Sequence, residues 1–159
     1  MNSDFFRLLL QNLFWAGIAA LGFAVLFNVP LRTLFACAVG GAVAYLVRTL
    51  AMQFGHASFE AATLAGATAV GFLGVAFGRR WRAPVPVFVV PGVIPLVPGS
   101  LAFRTMIDIL TLVTGDAGVN EALLAETAVN SIKTILIVGA IAGGIAVPSL
   151  LLRRRRPMT

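Results

Sequence analysis

The residues best suited to do chemistry in this chain lie where prolines and glycines interrupt an apolar stretch. Pro95, Pro98 and Gly99 break the stretch, and Ser100 and Arg104 follow directly. Proline has no backbone N–H and clashes with the preceding turn, so a helix here must stop and restart. A helix that restarts at Gly99 or Ser100 presents free N–H groups and the positive end of its dipole, which favour a carboxylate. Arg104, one turn further on, would add a two-pronged grip on the same anion.

Two acidic residues are candidates for proton coupling. Asp108 follows Arg104 by four residues, which places both on one helical face, and Glu60 lies in the first turns of an earlier apolar stretch. A carboxyl group inside a membrane protein can couple transport to protons by alternating between its charged and neutral forms. Simpler roles stay open: Arg104 only pairs with Asp108 or reaches the membrane interface, and Glu60 only caps its helix.

The composition predicts that these residues lie in a lipid bilayer. Of the 159 residues, 59% are hydrophobic and 11% are charged, against roughly 25% charged residues in a typical soluble domain. The mean hydropathy is +0.96. Because each span needs about 20 apolar residues, a chain of this length has room for four or five spans and no separate soluble domain. Residues 1–159 are therefore expected to form a single membrane domain.

The apolar segments predict an all-α protein with five transmembrane helices, the fourth broken by the proline and glycine motif. Asn28 and Pro30 are expected to close the turn after the first span. A basic tail, 153–159, follows the last span. The predicted spans are approximately 5–27, 31–47, 58–77, 85–112 (interrupted) and 132–152.

The cations indicate orientation rather than a nucleic-acid partner. The formal charge is +6, but the arginines, Arg48 among them, lie beside apolar segments, where they anchor span ends to lipid headgroups. If the clusters at 79–82 and 153–156 are both cytoplasmic, the chain between them crosses an even number of times. The broken segment must then cross once, which places the N-terminus outside and the C-terminus in the cytoplasm.

Catalysis and metal binding are not expected. The chain has one histidine and one cysteine, and it contains no recognisable nucleophile motif or set of metal ligands. No cofactor is predicted. A non-transporting assembly or regulatory subunit is the main alternative to a transporter, because it would share every hydropathy feature.

Three motifs together resemble the threonine/serine exporter (ThrE) family, and most closely its split small-subunit form (YjjB-like). They are the segment 27–32 after the first span, the run 94–99, and Val147-Pro148 before the basic tail. The resemblance implies a five-helix half transporter in the bacterial inner membrane. It also implies a separate larger membrane subunit as partner, and export of threonine and serine or of a dicarboxylate such as succinate. Helix faces with small residues at four-residue spacing suit packing within one bundle or, in the alternative, a partner or a higher oligomer.

Overall fold

The computed structural model describes residues 3–115 and 121–152 of the chain, and within these ranges it contains helices and no strand. Short 3₁₀ turns at Leu31–Thr33 and Ile94–Leu96 precede the second helix and follow the fourth. The predicted basic tail, 153–159, lies outside the described residues. The helices are α1 (Ser3–Leu26), α2 (Leu34–Gly55), α3 (Phe59–Trp81), α4 (Pro86–Val93), α5 (Gly99–Thr114) and α6 (Glu121–Leu152).

Four of the helices, α1, α2, α3 and α6, are long and apolar enough to cross a membrane. The segments Pro86–Leu96 and Gly99–Thr114 pass the same test together, with a bend of 62° between them, and count as a fifth span if the bent pair is one span. Large apolar side chains on the outside, such as Phe35 and Leu150, are 77% and 70% exposed, as expected of a surface that faces hydrocarbon. The prediction of an all-α, multi-pass membrane protein with a broken fourth span is confirmed.

The bent pair joins opposite ends of the bundle. Helices α3 and α6 run parallel, because Gly144 packs against Ala67 while Pro148, further along α6, packs against Gly71. Helix α6 therefore enters the bundle at the end where α3 begins, which we call the Glu60 end. Since α4 starts next to the other end of α3 and the start of α5 lies near Glu60, the segment between these two points extends along the length of α3.

Close approach of helix backbones holds the bundle together. A Cβ atom added to Gly66 of α3 would lie 2.7 Å from the carbonyl oxygen of Ala44 in α2. One added to Gly144 of α6 would lie 2.8 Å from the carbonyl oxygen of Leu64. Small residues thus let α3 pack directly on both neighbours, as is common between membrane helices.

The second span is longer than the sequence predicted. It was expected to end at residue 47, next to Arg48, but α2 continues to Gly55 and is capped by His56 in the left-handed region, with φ 46°. No proline or glycine interrupts residues 48–54, so a single arginine does not stop the helix. Arg48 therefore lies about two turns inside α2. Asn28 ends α1 in the same left-handed way, with φ 56°.

Candidate functional site

The first proline of the break frees a backbone carbonyl that the protein itself satisfies. Pro91 lies inside α4 and has no N–H to donate to the carbonyl of Val87, four residues earlier. The buried Cys37 of α2 approaches that oxygen, with an Sγ–O distance of 3.4 Å, and donates its S–H. The cysteine therefore has a structural role, because this contact links α4 to α2.

The next two prolines leave no free acceptor either. The carbonyl of Pro91 accepts from the N–H of Ile94, and the carbonyl of Ile94 accepts from the N–H of Val97 at 3.0 Å. These are the oxygens that Pro95 and Pro98 leave without helical donors. Neither of these two freed carbonyl oxygens is therefore left for a ligand.

Free hydrogen-bond donors, in contrast, lie at the start of α5. Its first helical bond runs from the N–H of Ala102 to the carbonyl of Pro98, at 2.9 Å, and no side chain caps this end. Within the described part of the chain, the N–H groups of Ser100 and Leu101 make no hydrogen bond. They point along the helix axis at its positive end, which is a favourable place for an anion.

A cavity of about 440 Å³ lies at this break. Its walls come from four parts of the fold: the second half of α2, the first turn of α3, the segment from Pro95 to Leu101, and α6. Apolar side chains fill the spaces between the polar ones. The polar lining residues are Arg48, Glu60, Ser100, Asn130 and Lys133.

Two aromatic rings hold Arg48 in place. Its guanidinium carbon lies 5.1 Å from the ring centroid of Tyr45, on the same helix, and 5.1 Å from that of Phe59, at the start of α3. Such contacts stabilise a cation at the ring face. Its Nε atom is buried and has no hydrogen-bond partner. The arginine is thus fixed at the cavity wall with a donor unused.

Glu60 faces the same cavity without capping its helix. Ser58 is the N-cap of α3, and its hydroxyl oxygen accepts from the N–H of Ala61 at 3.3 Å. Glu60 is half-buried. No ion pair or hydrogen bond of its side chain with Arg48 occurs among the described residues. The cavity therefore contains opposite charges that do not neutralise each other.

The structure brings together some of the residues that the sequence singled out and not others. Pro95, Pro98, Ser100 and Glu60 line the cavity. Gly99 is the first residue of α5, between two of them, but is not itself part of the wall.

Arg104 and Asp108 lie apart from this cavity. Arg104 is exposed on α5, whereas Asp108 is half-buried and its Oδ2 atom is buried without a hydrogen-bond partner. Although they are four residues apart, the two side chains form no ion pair within the described ranges. The buried side of α5 runs through Thr105, and Arg104 points away from it.

Sequence reasoning missed three of the polar lining residues as parts of one site. Arg48 was interpreted as a span-end anchor, and Asn130 and Lys133 were not among the residues singled out above. A pattern that could have identified the latter is the spacing of Asn130, Lys133 and Ile137, which places them on one helical face. For Arg48, the uninterrupted sequence up to Gly55 already indicated a position inside the helix.

Comparison with known proteins agrees with this architecture. Residues 12–151 match the family described as threonine/serine exporter, ThrE. An uncharacterized protein of Haemophilus influenzae is 35% identical over 150 residues, which cover 94% of this chain and 50% of that relative. The chain thus spans about half the length of the curated relative it matches. No solved structure matches the chain. The extent of the family match shows that this membrane protein belongs to the threonine/serine exporter (ThrE) family.

Proposed function

We propose that this chain is one half of a two-component secondary exporter of small carboxylate metabolites, threonine and serine or a dicarboxylate such as succinate. Its family supports export, and the cavity at the broken fourth span supports the location of the binding site. The observation on which the proposal depends is that the free N–H groups of Ser100 and Leu101 lie at a cavity that Arg48 and Lys133 also line.

This arrangement has the donors that a carboxylate needs when it leaves water. Two backbone N–H groups at a helix N-terminus can bind one carboxylate oxygen each, and the helix dipole adds to their attraction. Arg48 supplies charge-assisted hydrogen bonds from a guanidinium that two aromatic rings already hold in position. Because these groups are fixed before the ligand arrives, little ordering of side chains opposes binding.

A separate larger membrane subunit is proposed to complete the exporter. The match covers 50% of the Haemophilus relative, which leaves half of that relative outside the match. Helix α6 offers an open face for such a partner, since a Cβ on Gly139 would meet no atom within 4 Å. The same face could also join copies of the complex into a higher oligomer.

The arginines support an orientation in the bacterial inner membrane. Arg32, Arg79 and Arg80 lie at the end of the bundle opposite the Glu60 end, and positive residues favour the cytoplasmic side. We assign that end to the cytoplasm, which puts the N-terminus outside and the C-terminus inside. Because the cavity lies toward the Glu60 end, this conformation would be closer to an outward-facing state.

Efflux from cells that lack both subunits tests the proposal. The chain is expressed alone, or with a membrane protein that matches the rest of the Haemophilus relative, and release of preloaded threonine, serine and succinate is measured. We expect release of at least one of these substrates only when both chains are present. Release by this chain alone would reject the two-component arrangement, and no release by the pair would leave an assembly or regulatory role as the better description.

Two arginine variants, compared in the same assay, test the site. Arg48→Gln should reduce release about 10-fold or more, because hydrogen bonds to charged groups contribute roughly 1.5–3 kcal/mol. Arg7→Gln, which removes an exposed arginine on α1, is the matched control and should release substrate at the wild-type rate. Equal release by the two variants would reject the cavity as the binding site.

A further inference from the structure

The cavity places a positive and a negative side chain around one space without letting them pair. Arg48 comes from α2 and Glu60 from the first turn of α3, and both are half-buried. Opposite charges that line one partly buried cavity would gain energy from direct contact. The rings of Tyr45 and Phe59 hold the guanidinium where it stands. The two charged side chains therefore stay apart, and the space between them belongs to the site.

From this separation we infer that Glu60 is a specificity-determining residue that binds an ammonium group, and that the site selects small zwitterions over dicarboxylates. The inference rests on the proposed function and deepens it. A small α-amino acid would place its carboxylate on Arg48 and the free N–H groups of Ser100 and Leu101, and its ammonium group on Glu60. Both charges of the ligand are then matched, and both unpaired groups of the cavity gain a partner.

A dicarboxylate fits these charges less well. With one carboxylate at Arg48, its second carboxylate must lie near Glu60, where two negative charges repel, or reach Lys133. Lys133 lies on α6 and is exposed, and no aromatic ring holds its ammonium group within the described residues, unlike the guanidinium of Arg48. Repulsion of the wrong ligand, in addition to attraction of the right one, is a common source of specificity.

Competition between matched ligands tests the role of Glu60. The purified pair of subunits in liposomes is given L-threonine, 3-hydroxybutyrate, which is threonine without its amino group, and succinate. We expect the wild-type pair to prefer threonine over both competitors by about 10-fold or more, the ratio that one charge-assisted hydrogen bond provides. Glu60→Gln should lose this preference, Glu60→Asp should retain part of it, and Glu126→Gln, an exposed acid on α6, should behave as wild type.

The outcomes separate this inference from the proposed function. If the wild-type pair transports none of the three compounds, the proposed function fails and the inference fails with it. If threonine is transported but Glu60→Gln keeps the wild-type preference, only the inference is overturned. A wild-type preference for succinate that Lys133→Gln abolishes would also overturn it, because the site would then recognise two carboxylates. The unfolding temperature of each variant, with and without L-threonine, provides a second measurement. Without ligand, Glu60→Gln should unfold at the wild-type temperature. With L-threonine, it should lose the rise in unfolding temperature that the wild type shows.

Discussion

The thiol of Cys37 donates a hydrogen bond to the carbonyl oxygen of Val87, over 3.4 Å. That oxygen has no helical donor, because Pro91, four residues later in α4, has no N–H. The only cysteine of the chain is thus buried against the first half of the broken span, where water is not available as a substitute donor. A side chain from another helix thus supplies the donor that Pro91 cannot.

Replacement of this donor should destabilise the protein. Cys37→Ala leaves the Val87 carbonyl unsatisfied, which costs roughly 1–3 kcal/mol in a buried site, whereas Cys37→Ser keeps a donor of similar size. We expect Cys37→Ala to unfold in detergent at a lower temperature than Cys37→Ser. If the alanine variant unfolds at the temperature of the serine variant or above it, the hydrogen bond does not contribute to stability.

The bundle should tolerate a methyl group at one glycine and not at another. In Gly66→Ala the new Cβ would lie 2.7 Å from the backbone oxygen of Ala44, and backbone cannot move aside as a side chain can. Overpacking of this kind costs about 1–3 kcal/mol. The matched control is Gly139→Ala, which meets nothing within 4 Å and should be neutral or slightly stabilising because alanine favours helix by about 1 kcal/mol.

Thermal unfolding of the two glycine variants, purified as the unpartnered chain, checks this prediction. Use of the single chain keeps a partner subunit from covering Gly139 during the measurement. An equal loss of stability in both variants would mean that α2 and α3 are not packed as closely as the structure has them.

The sequence predicted the broken span but not the site that forms around it. Prolines are visible in the sequence, and their effect on a helix is local, so the interruption before Ser100 was predictable. Helical periodicity also placed Arg104 and Asp108 on neighbouring positions of one helix. It could not give the rotation of α5 about its axis, which leaves Arg104 exposed and Asp108 half-buried.

Arg48 was missed for a related reason. Its charge beside an apolar segment was interpreted as the end of a span, although the helix continues to Gly55. The cavity that it lines also includes residues from α3, the break and α6, and contacts between elements so distant in sequence leave no local pattern. Hydropathy thus predicted which segments are buried in the membrane, while the charges that share a cavity became visible only in three dimensions.

The free backbone donors at the start of α5 can be tested without removing a side-chain charge. Ser100→Pro deletes one N–H that has no partner within the described residues, and proline is tolerated in the first turn of a helix. The preceding Gly99 has no Cβ, which limits the clash that proline imposes on its neighbour. Threonine transport by the pair should fall about 10-fold, as expected for loss of one hydrogen bond to a charged group.

Ser100→Ala separates the amide from the hydroxyl of the same residue. This control variant keeps the N–H and removes only the side-chain oxygen, so transport should stay within about twofold of wild type, a difference below 0.5 kcal/mol. Because Ser100→Pro removes the hydroxyl as well as the N–H, an equal loss of transport in the two variants would assign the interaction to the hydroxyl and remove the backbone from the proposed site.

Asp108 on α5 is an acid with an unsatisfied oxygen atom in the described part of the chain. Its Oδ2 is buried without a hydrogen-bond partner. If protons drive export through this residue, Asp108→Asn should abolish the stimulation of threonine efflux by an inward proton gradient, because asparagine has the same shape but does not titrate. Threonine exchange at equal pH on both sides should continue at the wild-type rate, since Asp108 does not line the cavity.

Proteoliposomes with the paired subunits allow both measurements, with Glu126→Gln as the matched control variant. Full gradient stimulation in Asp108→Asn would remove Asp108 from the proton path and leave Glu60 as the acid to test.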